Sequence, residues 1–152
     1  MRTIVNRAAA AAFAFAATAG VLAAPTPAAA AEVGCNSFTS VHYAGNLYRH
    51  VPSVGSGSWN FDCVLARGAN NVGVLALQES LNVCYGQSLA TDSDFGPLTE
   101  QGVRNAQNIL NWEDGAGLAV DGRFGPKTSS WFRFQVYDHA NGGAPQKWCA
   151  RR

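Results

Sequence analysis

The chain has 152 residues, with 11 Lys and Arg against 10 Asp and Glu, so its formal net charge is +1. A balance this close to neutrality gives no support for nucleic acid or an anionic membrane as the main partner. The length favours one domain with a modest hydrophobic core rather than two. We therefore expect one small domain that acts as a monomer.

Residues 1–31 are typical of a secretory signal peptide. Two arginines lie within the first seven residues, an apolar Ala-rich stretch covers 8–22, and small residues precede Glu32. A membrane anchor is disfavoured because the apolar stretch is shorter than the ~20 residues of a span and is followed by prolines. We expect cleavage after Ala31 and a secreted protein, extracellular or associated with the cell wall, without membrane contact after cleavage.

Residues 32–62 are rich in Gly, Ser and Asn and carry scattered aromatic side chains. They show no sustained period of 2 or 3.6 residues, which would indicate a strand or a helix. The sequence therefore predicts an irregular N-terminal extension, with at most a short strand near 38–43.

Four cysteines lie beyond the predicted signal peptide, and an even count in an exported chain favours two disulfides. Three pairings are possible. We prefer Cys35–Cys63 with Cys84–Cys149, which would tie down both ends of the central segment, but the sequence alone leaves the other two pairings open. No C-x-x-C or H-x-H spacing is present, so we expect neither a metal site nor another cofactor.

The segment after residue 70 predicts an amphipathic helix. Between Val74 and Leu81, apolar residues recur at i, i+3 and i+7, which places them on one helical face. Asn70 or Asn71 can cap the start of this helix, and Gly86 can stop it just beyond Cys84.

An eleven-residue segment occurs twice, 29 positions apart: LATDSDFGPLT at 89–99 and LAVDGRFGPKT at 118–128 share seven of eleven residues. Each copy predicts a turn, a buried phenylalanine and a helix that begins at proline, which suits the first helical position. The second helix should run from Pro97 to about Asn111, and the third from Pro126 through Phe134. Ser93 replaces the turn glycine in the first copy, which leaves its turn type open.

Three segments carry a family resemblance. They read VGVLALQESLN (72–82), DFGPLTEQGVRNAQ (94–107, with Gly102 and Ala106 in place of Ala and Phe) and GLAVDGRFGPKT (117–128). In this order they resemble the peptidoglycan-binding domain of bacterial cell-wall hydrolases, a three-helix module. The resemblance implies a mainly α fold, with a peptidoglycan-binding-like domain at 63–135. Irregular, disulfide-tied extensions would flank it at 32–62 and 136–152.

The same resemblance implies non-covalent, non-catalytic recognition of cell-wall peptidoglycan near the second and third helices. Its glycan and peptide stems offer amides, hydroxyls and carboxylates, which polar and arginine side chains can bond, and sugar faces, on which an indole can pack. Ordinary structural roles, in turns, in solvent or in the core, are the alternative for each residue. The candidate ligand contacts are Asp92, Arg104, Gln107, Trp112, Asp121 and Arg123.

We expect no enzymatic activity. None of the three histidines has metal-ligand spacing, and the paired carboxylates at 92/94 and 113/114 lie in turn-like segments. Glycoside hydrolysis needs two carboxyl groups that face each other across a cleft, which a chain this small is poorly able to form. The alternatives to wall binding are a secreted inhibitor or protein-interaction module on the same scaffold and, less favoured, a minimal cell-wall hydrolase.

Overall fold

The computed structural model describes residues 31–152, so the predicted signal peptide lies outside the described part except for Ala31. The described chain combines an antiparallel sheet with three helices. The strands are β1 (Ser37–Ala44), β2 (Leu47–Ser53), β3 (Arg133–Asp138) and β4 (Ala144–Arg151); the helices are α1 (Val72–Tyr85), α2 (Pro97–Asp114) and α3 (Pro126–Trp131), with a short 3-10 turn at His139–Asn141.

The expectation of a mainly α, three-helix domain is therefore wrong. Both segments predicted to be irregular extensions contain strands: β1, which covers the short strand expected near 38–43, and β2 lie within 32–62, and β4 lies within 136–152. The four strands form one sheet in the order β1-β2-β3-β4, with antiparallel neighbours. The whole helical segment is inserted between the two central strands, β2 and β3, so the N- and C-terminal segments complete one sheet together.

The ends of α1 agree with the sequence prediction. The side chain of Asn71 accepts hydrogen bonds from the backbone N–H groups of Gly73 (2.9 Å) and Val74 (3.3 Å), and Gly86 ends the helix with a left-handed φ of 62°. A Cβ on Gly73 would lie 2.6 Å from the carbonyl oxygen of Ser37. The glycine thus lets the start of α1 approach the backbone of β1.

The starts of α2 and α3 also agree, because each begins at the predicted proline. The third helix, however, stops at Trp131, and Phe132 is already extended (φ −68°, ψ 142°). The following residues form β3, in which Phe134, Gln135, Val136 and Tyr137 are all buried, as in a strand that is covered on both faces. The prediction of a helix through Phe134 is wrong for this reason.

Buried aromatic rings join the helices to the sheet. Phe124 meets Phe132 edge-on at a centroid distance of 5.1 Å, and Phe132 lies 5.1 Å from Phe134 on β3. Phe95, the repeat equivalent of Phe124, is fully buried in the same core. One hydrophobic core therefore serves the whole described segment.

Both disulfides have the preferred pairing, which is thus confirmed: Cys35–Cys63 and Cys84–Cys149. The first joins the segment before β1 to the loop after β2, and the second joins the end of α1 to the edge strand β4. Such bonds are typical of proteins from oxidising compartments. Within residues 31–152, no helix combines the length and the apolar character that crossing a membrane would require.

Candidate functional site

Each copy of the sequence repeat is held to the preceding helix by a buried glutamine. In the first copy, Gln78 of α1 donates from Nε2 to Asp92 Oδ1 (2.8 Å), the Asp94 carbonyl oxygen (3.0 Å) and Thr99 Oγ1 (3.1 Å). Its Oε1 accepts from the backbone N–H of Ser93 (3.0 Å). The amide group of one side chain thus fixes both the turn and the start of α2.

Gln107 of α2 does the same for the second copy. Its Nε2 donates to Asp121 Oδ1 (2.9 Å), the Arg123 carbonyl oxygen (3.0 Å) and Thr128 Oγ1 (3.3 Å). Its Oε1 accepts from the backbone N–H of Gly122 (3.0 Å). The four hydrogen bonds of each glutamine side chain therefore correspond one to one.

A second pair of amide side chains anchors the beginning of each copy. Asn82 donates to the Leu89 carbonyl oxygen (2.9 Å) and accepts from the Leu89 N–H (2.8 Å). Asn111 makes the same two bonds to Leu118, at 2.9 and 2.6 Å. Leu89 and Leu118 therefore begin loops of matching geometry.

The two loops form two corresponding pockets. The first-repeat pocket, of about 200 Å³, is lined by Gln78, Leu89, Ala90, Asp92, Asp94, Gly96, Pro97, Leu98 and Thr99. The second-repeat pocket, of about 170 Å³, is lined by Gln107, Leu118, Ala119, Asp121, Arg123, Gly125, Pro126, Lys127 and Thr128, together with Val64 and Glu32.

Two substitutions between the copies change the charge of the pockets: the charged residues that line the first-repeat pocket are all acidic, whereas two basic and two acidic residues line the second. The first-repeat pocket has Asp94 and the exposed Leu98, where the second-repeat pocket has Arg123 and Lys127. Lys127 Nζ donates to the Gly117 carbonyl oxygen (2.6 Å), and the guanidinium of Arg123 forms an ion pair with the carboxylate of Glu32. Arg123 therefore already holds a carboxylate within the second-repeat pocket.

Three of the predicted ligand contacts belong to the loop scaffold. Gln107 is buried, and Asp121 bonds both Gln107 and the Arg123 N–H (2.9 Å). Asp92 makes the equivalent bonds, and the hydrogen bond from Gln78, followed by that from the Asp94 N–H, lowers the pKa of its carboxyl group. These side chains line the pockets, but their hydrogen bonds hold the loops in shape.

The other three candidates are not brought together. Arg123 lines the second-repeat pocket, whereas Arg104 bonds the Val120 carbonyl oxygen (2.8 Å) and Glu100 (2.9 Å) outside both pockets. Trp112, near the end of α2, is 89% exposed and also lines neither pocket. The six predicted residues therefore do not form one site.

Sequence reasoning missed Gln78, Lys127 and Glu32 as members of these sites. Extending the 29-residue offset backwards would have paired Gln78 with Gln107 and shown the common scaffold. Aligning the copies for differences rather than identities would have singled out Lys127. Nothing in the sequence places Glu32 next to Arg123.

Within residues 31–152, no group of three or more His, Cys, Asp and Glu side chains is arranged to hold a metal ion. No family model, curated protein or solved structure matches this chain.

Proposed function

We propose that this chain is a secreted, non-catalytic protein that binds bacterial cell-wall peptidoglycan through the second-repeat pocket. The ion pair between Arg123 and Glu32 carries the proposal, because it shows a carboxylate held by the arginine that lines this pocket. The resemblance of the motifs over 72–128 to peptidoglycan-binding domains is the reason for choosing peptidoglycan as the ligand. The two disulfides are in keeping with an exported protein.

The pocket has the chemistry that a peptide stem requires. Arg123 offers a planar fork of N–H donors for a carboxylate, and Lys127 adds a second positive charge. Leu118, Val64 and Pro126 provide apolar walls for a short aliphatic side chain. At about 170 Å³ the pocket encloses one small group, so few contacts form and the affinity should be micromolar or weaker.

Sedimentation with purified, insoluble peptidoglycan tests the proposal. The wild type should pellet with the wall, and Arg123→Gln with Lys127→Gln should largely abolish pelleting. Arg67→Gln with Lys147→Gln is the matched control, because it removes the same charge away from the pocket. The thermal unfolding midpoint of each variant shows that the fold is retained.

Glu32→Gln sharpens the test. It removes the carboxylate that occupies Arg123, so retention on the wall should increase rather than decrease. Lower retention would mean that Glu32 supports the site instead of competing for it.

Two outcomes would overturn the proposal. If wall material stripped of accessory polymers fails to retain the wild type, the inhibitor or protein-interaction function becomes the leading one. If soluble wall fragments are released during incubation, the chain is a hydrolase rather than a non-catalytic binder.

A further inference from the structure

The first-repeat pocket takes no part in the proposed wall binding, yet it has the form of a small-ligand site. It is a cavity of about 200 Å³ whose apolar walls are Leu89, Ala90, Pro97 and Leu98. Leu98 is 74% exposed, so part of this apolar surface faces solvent. At ~30 Å³ for each group the size of a water molecule, the cavity has room for an aliphatic side chain. Apolar walls with a few polar groups are typical of pockets that bind small ligands.

Asp94 brings an unpaired carboxylate to this pocket. Its backbone is fixed, because its N–H donates to Asp92 Oδ1 (3.0 Å) and its carbonyl oxygen accepts from Gln78 (3.0 Å) and Thr99 (3.2 Å). Within residues 31–152, no hydrogen bond or ion pair involves the carboxylate oxygens of Asp94. No basic side chain lines the cavity. The negative charge is therefore available to a ligand.

The second copy of the repeat shows that a charged side chain at this position can hold a group of opposite charge. At the offset of 29 residues, Asp94 corresponds to Arg123, which forms an ion pair with the carboxylate of Glu32. Leu98 corresponds to Lys127, so the first-repeat pocket also lacks the second positive charge. The reversed charge at position 94 favours a cation in place of a carboxylate.

The cation has to suit both the carboxylates and the apolar walls. In the part of the chain that the structure describes, no three His, Cys, Asp or Glu side chains are arranged to hold a metal ion. A primary ammonium group needs fewer partners, since it has three N–H donors. The methylene chain that carries it can pack along apolar surface while the charged end stays near water. An aliphatic ammonium therefore fits this cavity better than a metal ion.

We propose that the first-repeat pocket binds an ammonium group on an aliphatic chain, such as the side chain of lysine or of another diamino acid. The ammonium donates to the carboxylates of Asp94 and Asp92, and the methylene chain packs against Leu89, Pro97 and Leu98. None of these residues lines the second-repeat pocket. The site is therefore separate from the proposed wall-binding pocket and does not depend on it.

A nuclear magnetic resonance titration of the nitrogen-labelled protein with Nα-acetyl-lysine N-methylamide tests the proposal. The backbone N–H signals of Asp94, Gly96 and Leu98 should shift saturably. The dissociation constant should be about millimolar, because one exposed ion pair and a short chain make few contacts. Nα-acetyl-norleucine N-methylamide keeps the methylene chain without the charge, and alanine N-methylamide keeps an ammonium group without the chain. Both should bind more weakly than the lysine probe.

Asp94→Asn removes the charge and keeps the shape of the side chain, so it should weaken binding of the lysine probe about fivefold. Asp62→Asn is the matched control, because it removes the same charge outside both pockets and should leave the affinity unchanged. Leu98→Lys introduces the residue of the second copy and should abolish binding by repulsion. Thermal unfolding shows that each variant is folded.

Three results would overturn the proposal. The first is the absence of a saturable shift with the lysine probe, and the second is equal affinity for the norleucine or the alanine probe. The third is unchanged affinity of folded Asp94→Asn; if that variant does not fold, the wild-type titration with the three probes decides. Because no wall material is used, failure of this test is distinct from failure of wall binding.

Discussion

Ser93 adopts the same left-handed backbone conformation as Gly122, with φ of 66° against 76°. Each residue also donates its backbone N–H to the buried glutamine of its own repeat, at 3.0 Å. The side-chain amide therefore holds a serine where glycine is otherwise favoured. The two turns have the same geometry despite their different sequences.

Exchanging these two residues should have unequal effects. Ser93→Gly should change the free energy of unfolding by less than about 1 kcal/mol, because relief of the left-handed backbone is offset by greater freedom of the unfolded chain. For Gly122→Ser the same two backbone effects act in reverse and again nearly cancel, but the new Cβ would lie 2.6 Å from Glu100 Cγ. This substitution should therefore destabilise by about 1–3 kcal/mol, as overpacking does. Urea unfolding of both variants measures the difference, and equal effects would contradict the argument.

Phe95→Ala and Phe124→Ala should each destabilise the protein by about 3–5 kcal/mol, because both rings are fully buried and each substitution leaves a cavity. Leu98→Ala is the control. Because this side chain is 74% exposed, its truncation should change the free energy of unfolding by no more than about 0.5 kcal/mol. Denaturant unfolding checks all three. An unchanged stability of either phenylalanine variant would show that its ring is exposed in solution.

The loss of stability on removal of each disulfide should increase with the length of chain that the bond encloses. Cys84–Cys149 spans 65 residues and Cys35–Cys63 spans 28. The entropy that each bond removes from the unfolded chain predicts a stabilisation of about 4 kcal/mol by the first bond and about 3.5 kcal/mol by the second. Paired Cys→Ala variants, followed by thermal unfolding, test the order. Intact-mass analysis should find no thiol that alkylates without reductant, and one that does would contradict the pairing.

Acid should destabilise the sheet through His50, whose ring is stacked between Phe38 (4.3 Å) and Tyr137 (4.0 Å). Burial, and next the charge of His139, lowers the pKa of His50 from 6.5 to about 4. Between these values the unfolded chain binds the proton more readily, so this contribution to stability is complete above pH 6.5 and is lost as the pH falls towards 4.

His50→Phe isolates that contribution, because it keeps a stacked ring and removes the titrating group. Urea unfolding at a series of pH values should show a smaller loss of stability for the variant between pH 6.5 and 4. Identical pH dependence of the parent and the variant would show that His50 does not contribute.

Local signals predicted the helical segment well. The Asn71 cap, the Gly86 stop and the proline starts each act within one turn of backbone, so they can be read without knowledge of the tertiary structure. Phe95 and Phe124 were recognised as anchors for the same reason. Gln78 was missed because its role depends on a loop that lies 14 residues further along the chain.

The sheet was harder to predict because β2, one of its two central strands, lacks the usual strand pattern. β2 places Arg49 on a covered face and includes Pro52, and both depart from apolar alternation. Gly45-Asn46 was a usable hairpin signal between β1 and β2, although the strands on either side are too polar to support it. Arg49 carries no motif, and its guanidinium lies over the ring of Tyr43 on the neighbouring strand β1.

The bond between Cys84 and Cys149 determines what happens if a protease cuts the chain between β3 and β4. Gly142 and Gly143 lie in that connection, and both have exposed or partly exposed, left-handed backbone of the kind that proteases enter. A cut there would leave β4 covalently joined to α1. Under non-reducing conditions the nicked protein would therefore remain one covalent unit, heavier only by the water added at the cut, and would keep its edge strand in place. It would separate into two pieces only after reduction.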